Sequence, residues 1–129
     1  DNNKTNFVLA DKDKYEIKYV DSGRPKHYSL SVTFPYKDKQ VTWTPKIPRY
    51  DSVKNKYYLN FHGEYHRNPI KSGKNIVLVN SSGHTAFIAR KMADNVFELE
   101  TLPSVNPLIV FTIGLCDIVG QYDDQFGGI

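Results

Sequence analysis

Three lysines near the start of the chain, Lys12, Lys14 and Lys18, recur at even spacing. Side chains two residues apart on a strand share a face, so these three stand together if a strand begins near Lys12. Several ammonium groups on one face can hold a multiply charged phosphate, each contributing about 1 kcal/mol near an anionic surface. Lysine on an exposed strand face also has a plainer use, which is to block edge pairing with other chains.

His62 and His66 lie four apart in HGEYH. The glutamate is misplaced for the H-E-x-x-H pattern of metalloproteases, and the setting is a strand, not a helix. On a strand the two imidazoles share a face, but a metal needs a third ligand and none is evident. A structural His62 near a strand end, with Gly63 allowing a bend, is the simpler reading, and His27 and His84 read as surface residues. There is no G-x-S-x-G, no phosphate loop and no carboxylate pair at catalytic spacing. Tyr36, Lys37, Lys39 and Trp43 resemble an aromatic-basic nucleic-acid surface. A structural Trp in a strand and a basic turn explain them more simply. Tyr57 and Tyr58 read as strand packing residues before they read as a stacking platform.

At 129 residues the chain is one domain, 1–129, with 40% hydrophobic and 24% charged residues, ordinary values for a soluble globular protein. Its single cysteine, Cys116, excludes an internal disulfide and suits a reducing compartment. Cys116 sits in an apolar run, so a buried, inert thiol is expected there and a nucleophile is not. With no signal peptide and no membrane span in view, a cytosolic or peripheral protein is expected. The net charge of +3 conceals an asymmetry. All 17 Lys and Arg lie in residues 1–91 against 8 Asp and Glu, giving +9, and residues 92–129 carry 6 acidic side chains and no basic one, giving −6. Such an excess suits anionic lipid, nucleic acid or an acidic protein, and it also suits a merely solvated Lys-rich surface.

These residues must be positioned by strands. Period-two alternation recurs between turn signals at Asn6–Ala10, Tyr15–Val20, His27–Phe34, Gln40–Pro45, Tyr57–His62, Asn75–Asn80, His84–Arg90 and Asn95–Glu100. Tyr15, Ile17 and Tyr19 fall on one face of the second, with Lys14, Glu16 and Lys18 on the other. Tyr57–His62 reads as a long central strand, after a Pro- and Lys-rich loop containing DSVKNK. The last pair of strands is split at MAD.

The segment 103–119, PSVNPLIVFTIGLCDIV, breaks this pattern. It lacks a polar stripe, so as a helix it must be buried all round. A buried strand pair is the alternative, favoured by Val105, Ile109, Val110 and Ile113. Pro103, Pro107, Gly114 and Cys116 favour a helix enclosed by sheet, and the run is too short to span lipid. A helix is about 10 Å across with its side chains, and seven or eight strands make a ring too narrow to thread one. The barrel is therefore open, or strands are missing from this chain.

At this point the residues resemble a known family. YYLNFHG at Tyr57–Gly63, with Val96–Phe97 and VFTIGL at Val110–Leu115, is similar to the C-terminal domain of Tubby-like proteins. That family follows its LNFHG strand with a Val-Lys-Asn-hydrophobic strand, matched here by Lys74-Asn75-Ile76, with Pro69–Gly73 as a small insertion. Arg90 through Phe97 stands for its Gly-Arg-Val…Asp-Val-Phe hairpin. Pro103 with Val110-Phe111-Thr112-Ile113 stands for its Pro-Leu and AFAI-like helix. Gly23-Arg24-Pro25-Lys26 leading into Ser29–Phe34 resembles the Gly-Pro-Arg-Lys-Met-Ser strand. Glu64 stands where the family has Arg, Ala89 replaces a Phe, and the tail after Asp117 departs from the pattern.

The resemblance covers roughly residues 7–119 and implies a mainly β fold, an antiparallel barrel around a central hydrophobic C-terminal helix. It implies that this chain is the second part of that barrel, with the family's first strands preceding Asp1. The implied activity is non-catalytic binding of phosphoinositides, chiefly the 4,5-bisphosphate. The domain would thereby tether a protein or cargo to the cytoplasmic face of the plasma membrane, with no cofactor, no metal and no nucleic acid. The family's main head-group contacts, a lysine and an arginine one residue apart, would lie before Asp1. A further family arginine maps near Lys12 or Lys14, which makes Lys12, Lys14 and Lys18 the expected phosphoinositide-binding residues. A protein-interaction adaptor on the same scaffold, without lipid binding, is the alternative.

Overall fold

The computed structural model describes residues 5–10, 13–21, 28–59, 69–70, 72, 74–102 and 105–128. Among the described residues nine strands precede one helix. They are β1 (Thr5–Ala10), β2 (Asp13–Asp21), β3 (Tyr28–Tyr36), β4 (Lys39–Pro45), β5 (Arg49–Asp51), β6 (Lys56–Tyr58), β7 (Ile76–Val79), β8 (Thr85–Ala93) and β9 (Val96–Thr101), followed by α1 (Pro107–Gly128). Seven of them form one antiparallel sheet in the order β1-β2-β3-β4-β7-β8-β9, and β5 and β6 pair separately as a hairpin. Helix α1 packs against β3 and touches both edges of the sheet, β1 and β9. A sheet whose two edges reach one helix has to curl around it, and the result is half a barrel.

The turns follow from residues that accept a left-handed backbone. Lys37 and Asp38 both have positive φ, 48° and 63°, between β3 and β4. That mirror-image turn matches the right-handed twist of the flanking strands. Asn95 (φ 61°) serves the β8–β9 turn, so the break falls at Asp94-Asn95 and Met92 and Ala93 belong to β8. Between β7 and β8 the Asn80 side-chain oxygen accepts from the amides of Ser82 and His84.

The first half of the sheet alternates as its sequence does. Ile17, Leu30, Val32, Phe34 and Trp43 are buried on the concave face, where Phe34 stacks on Tyr15 at 5.1 Å and meets Trp43 edge-on at 5.0 Å. The opposite, convex face carries Lys14, Glu16, Lys18, Ser31, Thr33 and Thr42, aligned by the pairs Lys18↔Ser31, Glu16↔Thr33 and Thr33↔Thr42. The second half does not alternate. Ile76, Leu78, Phe87 and Ala89 join the concave core, and Val77, Ile88 and Arg90 on the convex face are also essentially inaccessible. Here the sheet is covered on both sides.

Asn106 and Pro107 start the helix. The Asn106 side-chain oxygen accepts from the amide of Leu108 at 2.9 Å, and Pro107 occupies the first turn, where its missing N–H costs nothing. Ile109, Ile113 and Asp117 are buried against the sheet. Gly114 permits the approach to β9, because a Cβ there would lie 2.7 Å from Leu99 Cδ1. Tyr19 donates its hydroxyl proton to the Cys116 carbonyl at 2.9 Å, fastening the helix to β2.

Segment 103–119 is thus helical from Pro107, not a strand pair, and the helix runs on to Gly128. It is not buried all round. Leu108, Phe111 and Leu115 are 60%, 58% and 44% exposed and lie along one side, because a half-barrel covers only half of a helix. The expected long strand Tyr57–His62 is also corrected. Its described part, β6, ends at Tyr58 and among the described residues pairs only with β5, and residues 60–68, which include His62 and His66, lie outside the described residues.

Candidate functional site

β2 presents Lys14 and Lys18 to solvent from the convex face. They are four residues apart, about 13 Å along the strand, and Glu16 stands between them. The register sets Lys18 between Thr5 of β1 and Ser31 of β3, and Glu16 between Phe7 and Thr33. Thr33 and Thr42 join hydroxyls at 3.0 Å, so the ground beside the lysines is rich in hydroxyl groups. Lys12 lies outside the described residues. The structure therefore brings Lys14 and Lys18 to one face together with a carboxylate. The two flexible side chains can bracket a highly charged anion, and neither can share a single phosphate closely with the other.

The wider charge distribution sharpens the sequence asymmetry. Asp117 is buried in the helix, and Glu98 and Glu100 both face the buried Arg90, at 3.1 Å to Nη1 and 3.0 Å to Nη2. Of the acidic residues that make the C-terminal part negative, Asp117 is thereby withdrawn from the surface, and the half-buried Glu98 and Glu100 are paired with a cation. Among the residues whose side-chain burial is described, Lys14, Lys18, Lys37, Lys39, Arg49, Lys54 and Lys56 are exposed, and the exposed acids are Asp38 and Asp94. Seven against two makes this part of the surface cationic.

No family model, curated protein or solved structure matches this chain. Its chemistry is accordingly read from the residues themselves.

The other candidates take structural places. Trp43 is 3% exposed and belongs to the core, Lys37 sits in a turn with Nζ 5.3 Å from the centre of the Tyr36 ring, and His84 is at the surface. Cys116 is half-buried, and its thiol pKa is pushed above the ordinary 9.0. Desolvation is the main cause, opposed by a hydrogen bond from Tyr19 and reinforced by the charge of Asp117. It is overwhelmingly a protonated thiol at neutral pH, a poor nucleophile. Among the described residues no three His, Cys, Asp or Glu are placed to hold a metal, and no helix is long and apolar enough to cross a membrane. A cavity beside Ser29, Pro45, Asn75 and Val77 has room for about one water, 10 Å³, and not for a head group.

The periodicity of the sequence concealed one cationic group, the β5–β6 hairpin. Arg49, Lys54 and Lys56 flank a turn in which Asp51 Oδ1 accepts from the amides of Val53 and Lys54, at 2.9 and 3.1 Å. The signal was present as an Asp-to-Asn turn between two aromatic-containing triplets. Strands of three residues are too short to show alternation.

Proposed function

We propose that this chain is a non-catalytic phosphoinositide-binding domain, part of a Tubby-like barrel, which tethers a protein or cargo to the cytoplasmic face of the plasma membrane. The observation that carries the reading is the predominance of exposed cations over exposed acids, seven to two among the residues whose side-chain burial is described. Lys14 and Lys18, with Lys12 preceding them, form the head-group site in this reading. Hydroxyls at Ser31 and Thr33 offer neutral hydrogen bonds to phosphate oxygens beside them.

The test is co-sedimentation of the protein with phosphatidylcholine vesicles, with and without phosphatidylinositol 4,5-bisphosphate. The bound fraction should rise with the bisphosphate, and Lys14→Ala and Lys18→Ala should each remove roughly fivefold of that increment, as expected for about 1 kcal/mol per cation. Binding indifferent to the bisphosphate would sink the reading.

A second reading is favoured by the exposed apolar stripe Leu108–Phe111–Leu115 and by the edge strand β1, whose sequence TNFVLA has no charge or proline to guard it. In it the half-barrel is a protein-interaction scaffold whose occupant is further antiparallel strands added along β1. Amide hydrogen exchange at β1 distinguishes it. Protection there should rise in a longer polypeptide carrying such strands and stay unchanged if the edge is free in both.

A further inference from the structure

We infer that the β5–β6 hairpin is an insertion tip that docks the protein on a bilayer surface rich in anionic lipid, an inference that rests on the membrane reading above. The tip is built for such a surface. Val53, at the apex of the turn, is 92% exposed, more than any other large hydrophobic residue described, and Ile47 on the approach is 58% exposed. Tyr50 and Tyr58 add half-exposed amphipathic rings, the residue type that settles at the level of lipid head groups. Residues 46–58 carry Lys46, Arg49, Lys54 and Lys56 against the single Asp51, a charge of +3.

The backbone is prepared for loss of water. An apex entering the head-group region must not expose unsatisfied amides to a less polar medium. Here the Asp51 carboxylate already accepts the amides of Val53 and Lys54, and Tyr50 donates its hydroxyl proton to the side-chain oxygen of Asn55. The charge of Asp51 is spent on the turn itself, so the cations face outward without an opposing acid at the tip. β5 and β6 pair only with each other among the described residues. The hairpin can therefore enter a surface without disturbing the seven-stranded sheet.

Nucleic acid is the competing occupant for a basic, aromatic hairpin, and two observations disfavour it. The Tyr50 and Tyr57 rings lean on each other, 5.0 Å apart and tilted at 58°, so they do not stand parallel as a platform for successive bases. The most exposed of the tip's large hydrophobic residues is a valine, which offers a base neither stacking nor hydrogen bonds. An aliphatic apex ringed by cations fits lipid, where apolar burial and attraction to anionic head groups add.

The experiment uses the full chain and three vesicle types: phosphatidylcholine alone, phosphatidylcholine with phosphatidylserine, and the latter with added phosphatidylinositol bisphosphate. Val53→Trp places a reporter at the apex, while the native Trp43, 3% exposed, stays out of reach in the core. Brominated lipid should quench the Val53→Trp emission in both anionic vesicles. Val53→Asp should lower partitioning about tenfold, and Lys54→Gln with Lys56→Gln should lower it roughly 25-fold, whether or not the bisphosphate is present. Because these positions are exposed, urea midpoints should match the parent chain and exclude misfolding as the cause. Vesicle binding without quenching at position 53 overturns the inference while leaving the membrane reading standing. Quenching on phosphatidylserine vesicles with no response to the bisphosphate supports the tip and removes the phosphoinositide assignment. An emission change with single-stranded oligonucleotide and none with vesicles overturns both.

Discussion

The two halves of the sheet are made of similar residues and are used differently. β2, β3 and β4 bury one face and keep the other polar, with Lys14, Lys18 and Thr33 on the convex side. β7 and β8 bury both faces, with Val77, Ile88 and Arg90 enclosed on the side opposite the helix. A surface that must meet a ligand has to stay wet, and one that must hold the fold has no such duty. The difference separates a face free to change from one that is not. Mutations should therefore divide sharply along the strand order.

The largest effect is expected at Arg90. Its guanidinium is fully buried, and removing it strands Glu98 and Glu100 beside a desolvated pocket. Arg90→Ala should destabilise the fold by about 3–5 kcal/mol in urea titration, the usual cost of breaking a buried ion pair from one side. Lys18→Ala on the other half should stay within about 0.5 kcal/mol, and a comparable loss there would abolish the contrast. Ile88→Ala should follow, costing about 2–4 kcal/mol as a cavity in the two-sided layer. Thr42→Ala on the wet face should cost less than about 1 kcal/mol by the same measurement. Next comes Asn106→Ala, which removes the helix cap shared by both halves and should cost about 1 kcal/mol.

The smallest effect is a pH dependence at Cys116. Its thiol pKa is raised in the folded chain, chiefly by burial, so the folded state holds its proton more tightly than the unfolded one. That contribution is whole below pH 9.0 and declines as the pH rises through the folded value, where the unfolded chain alone has gained from ionising. Urea midpoints should fall more steeply above pH 9.0 for the parent than for Cys116→Ala.

Where one face is wet, the elements could be read directly. Tyr15, Ile17 and Tyr19 against Lys14, Glu16 and Lys18 state both the strand and its orientation, and β2 obeys them. Pro107 likewise favoured a helix within 103–119, and α1 begins there. Three features were hidden for physical reasons. The enclosure of Val77 and Ile88 leaves no mark, because a continuously apolar strand looks alike whether one or both faces are covered. The exposure of Leu108, Phe111 and Leu115 depends on how many strands surround α1, which is a tertiary property. The hairpin of β5 and β6 is too short to carry a period. Of the candidate site, the residue types and the shared face of Lys14 and Lys18 were legible. That Arg90 would pair with Glu98 and Glu100 was not, since the strand register decides it.

Every strand of the sheet precedes α1 along the chain, and apart from the β5–β6 excursion each strand pairs with the one made just before it. On a ribosome the concave wall of Leu30, Val32, Phe34 and Trp43 is therefore complete before the side chains that fill it, Ile109 and Ile113, have been synthesised. At 5–20 residues per second the stretch from Leu102 to Ile118 takes roughly 1–3 s to make. For that interval the nascent protein is an open apolar trough, which makes it a natural client for a ribosome-associated chaperone and makes slowed translation over these codons costly to its yield.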